Sequence, residues 1–80
     1  MDTVYFMQQR LHNELIVYYM EKYGLTPDKA IEELYATKTM EALLDSRTEF
    51  YAKSLNELKY LLMLEQQNNM QEWKSQAIIY

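Results

Sequence analysis

Val4, Met7, Leu11, Leu15, Tyr18 and Lys22 recur at intervals of three and four. That spacing places side chains on one face of an α-helix, with Lys22 at its wet end. Past Leu15 the stripe dissolves into Leu15 to Met20, which is apolar on every side. Such a run fits a buried strand as well as a helix covered on several faces. The helical spacing before it, and the lack of a turn signal before Gly24, favour a first helix over residues 3–23.

The next pattern is one of punctuation. Gly24 and Pro27 are the only glycine and the only proline in the chain. Gly24 suits the end of a helix, where the backbone turns left-handed. Thr26 suits the cap of the next helix and Pro27 its first position, where a missing N–H is no loss. Gly24 to Pro27 is therefore read as an αα corner, with a second helix over 27–36 presenting Ile31, Leu34 and Tyr35 to the first. A threonine of Thr37-Lys38-Thr39 then caps a short helix over 39–45, with Met40, Leu43 and Leu44 inward.

Two candidate capping boxes follow, Ser46-x-x-Glu49 and Ser54-x-x-Glu57. The first would make one helix run from Arg47 past Leu64. The second, preferred because residues 47–53 alternate polar and apolar at their centre, leaves an extended or looped connector that carries Phe50 and Tyr51. From Leu55 the periodicity is strong: Leu55, Leu58, Leu61 and Leu62 form one face of a helix over 55–67. A second stripe, Met63, Gln66, Met70, Trp73, Ala77 and Tyr80, then continues at heptad-like spacing. Residues 70–79 either extend that helix or form a fifth. The expected fold class is all-α, a small single-domain bundle of four to five helices spanning residues 1–80.

Composition narrows the function more than the fold. The chain has 80 residues and no cysteine. Such a chain buries only about 60 % of the surface its unfolded form exposes, and neither disulfides nor thiolate-bound metal add to that core. The net charge is −4, which speaks against a nucleic-acid partner. The acids concentrate in residues 1–45, where Asp2, Glu14, Glu21, Asp28, Glu32, Glu33, Glu41 and Asp45 outnumber Arg10, Lys22, Lys29 and Lys38. The start lacks a basic leader region, and the longest apolar run falls far short of the roughly 20 residues that span a bilayer. A cytoplasmic protein with no membrane partner is the expectation.

Chemistry-bearing residues are sparse. His12 is the only histidine, and its neighbours one turn away, Gln8 and Ile16, offer no carboxylate to complete a metal pair. Glu32 and Glu33 are adjacent, so a helix splays them about 100° apart. Asp45-Ser46-Arg47-Thr48 is accounted for by turn and capping chemistry. One glycine cannot build a phosphate-cradling loop. No catalytic, cofactor-binding or metal residue is expected, and a small enzyme is the least favoured reading.

Eight tyrosines, Trp73, two phenylalanines and six methionines are the unusual feature. Aromatic residues gather at interfaces because they bury a large area while keeping a polar handle. A groove lined by Tyr18, Tyr19, Met20 and Tyr51 is one expected contact surface. The tail, residues 70–80, is the other, through Met70, Trp73, Ala77 and Tyr80, flanked by Ile78 and Ile79. It docks either on Ile16, Val17 and Met20 of its own first helix or on the same surface of a second copy, and the commonness of two-fold symmetry favours a homodimer.

Thr26-Pro27 with Ala30, Leu34-Tyr35, Lys38-Thr39, Leu43-Leu44-Asp45, Tyr51 and Ser54 together resemble a class of short uncharacterised bacterial proteins, over about residues 4–64. Proteins of that class are all-helical and are often encoded beside toxin-like genes, some similar to ADP-ribosyltransferases. The resemblance implies an antitoxin or accessory subunit that binds a partner protein, and it carries no catalytic residue. The resulting expectation is a non-catalytic protein-interaction module. The alternative is a DNA-binding regulator built as a helix-turn-helix on the Gly24 corner, whose recognition helix would carry Asp28, Glu32 and Glu33 against Lys29 alone.

Overall fold

The computed structural model describes residues 2–77. Five α-helices follow one another: α1 (Thr3–Tyr23), α2 (Pro27–Tyr35), α3 (Lys38–Leu44), α4 (Leu55–Gln66) and α5 (Met70–Ala77). Two single 3₁₀ turns, Ser46–Thr48 and Phe50–Ala52, join α3 to α4, and no strand occurs among the described residues. The fold is all-α. Its Cα frame measures 36 × 35 × 18 Å. With helices about 10 Å across, that thickness holds two layers, so every helix keeps a face toward solvent.

The corner forms as its residues require. Asp2 caps α1 by accepting from the Tyr5 N–H at 3.2 Å. At the other end Gly24 sits at φ 65°, ψ 40°, and both its N–H and that of Leu25 close on the Met20 carbonyl. Thr26 then accepts from the Lys29 N–H at 3.3 Å, and Pro27 opens α2. The capping box at Ser54 is complete, with Ser54 N donating to Glu57 at 3.0 Å and Glu57 N donating to Ser54 at 3.1 Å. The Ser46 box does not form. Asp45 takes the Arg47 N–H instead, and Glu49 turns left-handed at φ 61°. Residues 47–53 are thus neither one long helix nor an extended strand.

The buried face of α1 is rotated from the predicted stripe. Gln8, Leu11, Leu15 and Tyr19 are buried, whereas Val4, Met7 and Tyr18 are half-buried and Lys22 is exposed. A glutamine enters this face because its Nε2 donates to the Leu43 carbonyl at 3.1 Å, in the last turn of α3, where helix carbonyls have no partner within the helix. On α2 the fully buried side chains are Ala30 and Leu34; Ile31 is half-buried and Tyr35 exposed. On α3 Met40 and Leu43 point in as expected, but Leu44 is exposed, and the third buried position belongs to Thr39. Phe50 from the second 3₁₀ turn completes the centre together with Leu58, Leu61, Leu62 and Leu64 of α4.

The continuous seam expected through the tail is interrupted. Asn68 adopts φ 58°, and the Asn69 N–H reaches back to the Leu64 carbonyl at 2.9 Å. Asparagine tolerates this left-handed stop almost as glycine does. Asn69 then caps α5, accepting from Glu72 N at 3.3 Å. Met63 and Gln66, on the far side of the break, are exposed. The tail is a fifth helix up to Ala77, and Ile78, Ile79 and Tyr80 lie outside the described residues.

Candidate interaction surface

The most densely bonded polar group in the molecule surrounds α3. A seven-residue helix has little stability of its own, and here nearly every unpaired backbone group finds a side chain. At its N-terminus Glu65 of α4 accepts from Lys38 N at 2.9 Å, Thr39 N at 2.7 Å and Thr39 Oγ1 at 2.5 Å. Thr37 Oγ1 accepts from Met40 N at 3.1 Å and donates to the Leu34 carbonyl at 2.6 Å, tying α2 to α3. At the C-terminus the Gln8 amide covers Leu43, and Thr48 Oγ1 donates to the Ala42 carbonyl. A carboxylate at a helix N-terminus also complements the helix dipole. This arrangement stabilises the fold rather than exposing a reactive group: Thr39 is fully buried.

Trp73 belongs to the same group. Its Nε1 donates to Thr39 Oγ1 at 2.9 Å, and its ring lies 6.1 Å from that of Phe50. Trp73 and Ala77 pack against the chain's own core. Over its described residues α5 therefore packs within the chain, but on α3, α4 and the Phe50 turn rather than on the expected patch of α1. Val17 of that patch remains 51 % exposed, while Ile16 and Met20 rest against the core. Met70 is half-buried at the start of α5.

The other expected groove, Tyr18, Tyr19, Met20 and Tyr51, is not a single surface. Successive residues on a helix point about 100° apart, and the structure separates them accordingly. Tyr19 is only 3 % exposed and belongs to the core. Tyr18 lies at the α1–α4 groove, accepts from Lys22 Nζ at 3.0 Å and has Lys59 Nζ 4.6 Å from its ring centre. Met20 and Tyr51 are half-buried against the core.

Burial pushes the Tyr19 hydroxyl up to about 12, with neighbouring Tyr23 acting in the same direction and the Gln66 amide opposing them. A folded-state value above the ordinary 10 leaves this contribution to stability fully present below pH 10 and removes it as pH climbs toward 12. Urea unfolding followed from pH 9 upward is expected to show stability falling across that window, and Tyr19→Phe to flatten the fall. An equal slope in the variant would assign the alkaline loss to other groups. At the opposite end of the scale, the Arg47 side chain and N–H hold Asp45 down to about 2, with Asp45 half-buried and Arg47 exposed.

His12 finds no carboxylate. Its Nε2 pairs with the Tyr35 hydroxyl at 2.8 Å and its Nδ1 with Asn13 at 3.0 Å. No group of three or more histidine, aspartate or glutamate side chains among the described residues is placed to hold a metal ion. No described helix is long and apolar enough to cross a membrane. The exposed face of α2 carries Asp28, Glu32 and Glu33, with Lys29 paired to Glu32 at 3.6 Å.

What the surface does offer is apolar area. Tyr5, Phe6, Val17, Tyr35, Leu44, Tyr60 and Met63 are all large side chains left exposed. Two of them meet at a depression of about 540 Å³ walled by Tyr35, Met40 and Leu44, with Glu41, Asp45 and Ser46 at its rim. The bonds from Gln8 to Leu43 and from His12 to Tyr35 fasten both walls of this depression to α1. Sequence reasoning missed this site because Tyr35 and Leu44 sit at helical spacing that reads equally well as core. Compared with protein-family models, curated proteins and solved structures, the chain finds no significant match in any of the three.

Proposed function

We propose that this protein is a non-catalytic interaction module whose partner-binding face is the Tyr35–Leu44 depression. The observation that carries this reading is the pairing of exposed apolar walls with an acidic rim. Tyr35 is 53 % and Leu44 38 % exposed above a buried Met40, and exposed apolar surface rimmed by polar groups marks contact sites more often than scattered single residues do. Glu41 has no ion-pair partner among the described residues, while Asp45 is engaged by Arg47. The fitting partner is a protein segment that inserts one large apolar side chain with a basic residue beside it. The specific form that the resemblance suggests is an antitoxin or accessory subunit in the cytoplasm, acting on a toxin-like enzyme.

The test compares native protein with Tyr35→Glu and Leu44→Asp as bait in the source cell. A partner held by the native protein, lost from both variants and rebound on reconstitution with purified components supports the reading. Weakening of that reconstituted complex by salt and by Glu41→Gln would follow from the acidic rim. Retention of the same partner by both variants would move the contact elsewhere.

A further inference from the structure

The outer face of α1, turned away from the core, carries a stripe that is complementary to itself. Phe6, Arg10, Asn13 and Val17 follow one another at steps of four, three and four, which keeps them within about 60° on one side of the helix. Phe6 is 60 % and Val17 51 % exposed, so two apolar knobs stand three turns apart with polar residues between them. Beside Val17 a depression of about 390 Å³ opens between α1 and α4, walled by Val17, Tyr18 and Leu55, with Asn13, Glu14, Glu21 and Lys59 also lining it. One end of the helix thus presents a projecting ring, and the other end presents a hollow with an apolar wall of Val17, Tyr18 and Leu55 beside Glu14 and Glu21.

A two-fold axis perpendicular to α1 and just outside its outer face, level with the midpoint of Arg10 and Asn13, runs a second copy antiparallel to the first. Under that operation the residues that meet are those whose numbers sum to 23. Phe6 of each copy then faces Val17 and its hollow in the other, and both contacts form at once, as an isologous interface requires. The same register carries Arg10 to Asn13, one residue from Glu14 of the other copy. Within one chain Arg10 and Glu14 stand 3.8 Å apart with side chains 58 % and 40 % exposed, a pair loose enough to exchange partners across the axis. A foreign partner would need to supply knob, hollow and both charges independently; a second copy already has all of them in register.

We infer that the outer face of α1 is a homodimer interface, with Phe6 of each copy seated against Val17 of the other. This face lies away from His12, which holds Tyr35, so the inference stands apart from the function proposed above. One helix face per copy is a small interface, and the expected association is correspondingly in the micromolar range.

Sedimentation equilibrium of the full chain, from low micromolar to millimolar concentration, is expected to show a monomer–dimer equilibrium. Phe6→Glu alone and Val17→Lys alone should each weaken it at least about thirtyfold, the loss one anchoring side chain produces. Their equimolar mixture should dimerise again, because Glu at position 6 then meets Lys at position 17 on one side of the axis and Phe6 meets Val17 on the other. Both substituted side chains are exposed, so far-UV circular dichroism should be unchanged; if a variant does not fold, the native chain alone still decides whether a dimer exists. A native chain that stays monomeric at millimolar concentration overturns the inference. So does a dimer that survives either substitution, or a mixture of the two variants that remains monomeric.

Discussion

Phe50→Ala is expected to destabilise the protein by about 3–5 kcal/mol, a large share of the roughly 4–12 kcal/mol that a chain of this size commands. Phe50 is 2 % exposed although it lies in a connector of two 3₁₀ turns. Its position is fixed locally: its N–H donates to Thr48 Oγ1 at 3.2 Å, and Glu49 before it takes the left-handed conformation that turns the ring inward. Lys53 lies over one part of the ring at 5.3 Å and Trp73 packs near it at 6.1 Å. Truncation therefore removes core volume and the platform on which α5 rests. Because Trp73 is the only tryptophan, its emission reports α5 directly and should shift to the red under conditions where the variant is still folded. A loss of stability with unchanged emission would mean that the Thr39 hydrogen bond holds α5 without Phe50.

Glu65→Leu is expected to cost about 2–4 kcal/mol. The carboxylate accepts three hydrogen bonds from the first turn of α3. Lys38 is exposed, so water replaces its lost acceptor, but Thr39 is fully buried and keeps two donors that water cannot reach. An orphaned buried donor carries its whole desolvation cost. Glu65→Gln keeps one oxygen for Thr39 but sets an amide group against the Lys38 N–H, and should cost about 1 kcal/mol. Chemical denaturation ranks the two, and amide exchange should show α3 opening ahead of α1 and α4 in the leucine variant. If glutamine costs as much as leucine, charge at the helix end outweighs the count of hydrogen bonds. A double-mutant cycle with Thr39→Val would isolate the coupling between the two side chains.

Both predictions concern residues whose roles were hidden in the sequence. Phe50 and Tyr51 read as a connector, and the choice between the two serine boxes said only where α4 begins. No motif in the sequence singles out Glu65. Its partners, Lys38 and Thr39, are 27 and 26 residues away, and no local pattern links positions so distant. The same holds for Gln8, whose polar side chain argued against burial until Leu43 supplied a carbonyl. Trp73 was legible as a residue that must cover something, and the sequence offered two surfaces for it, yet the structure uses a third.

What the sequence determined by itself was local. Gly24, Thr26 and Pro27 set the αα corner, Ser54 with Glu57 opened α4, and the leucines of α4 chose its inner face, because each of these effects acts within one turn of backbone. The all-α class followed from the same short-range preferences. Only the tertiary structure decided which neighbour of a helical stripe is buried: a rotation of one residue moves Tyr18 out and Tyr19 in, and both positions are apolar enough to satisfy the pattern. It also decided the fate of α3, too short to persist alone, which exists because Glu65, Gln8, Thr37 and Thr48 arrive from other parts of the chain to pair its ends. Periodicity measures a helix against itself, whereas burial and capping depend on what packs beside it.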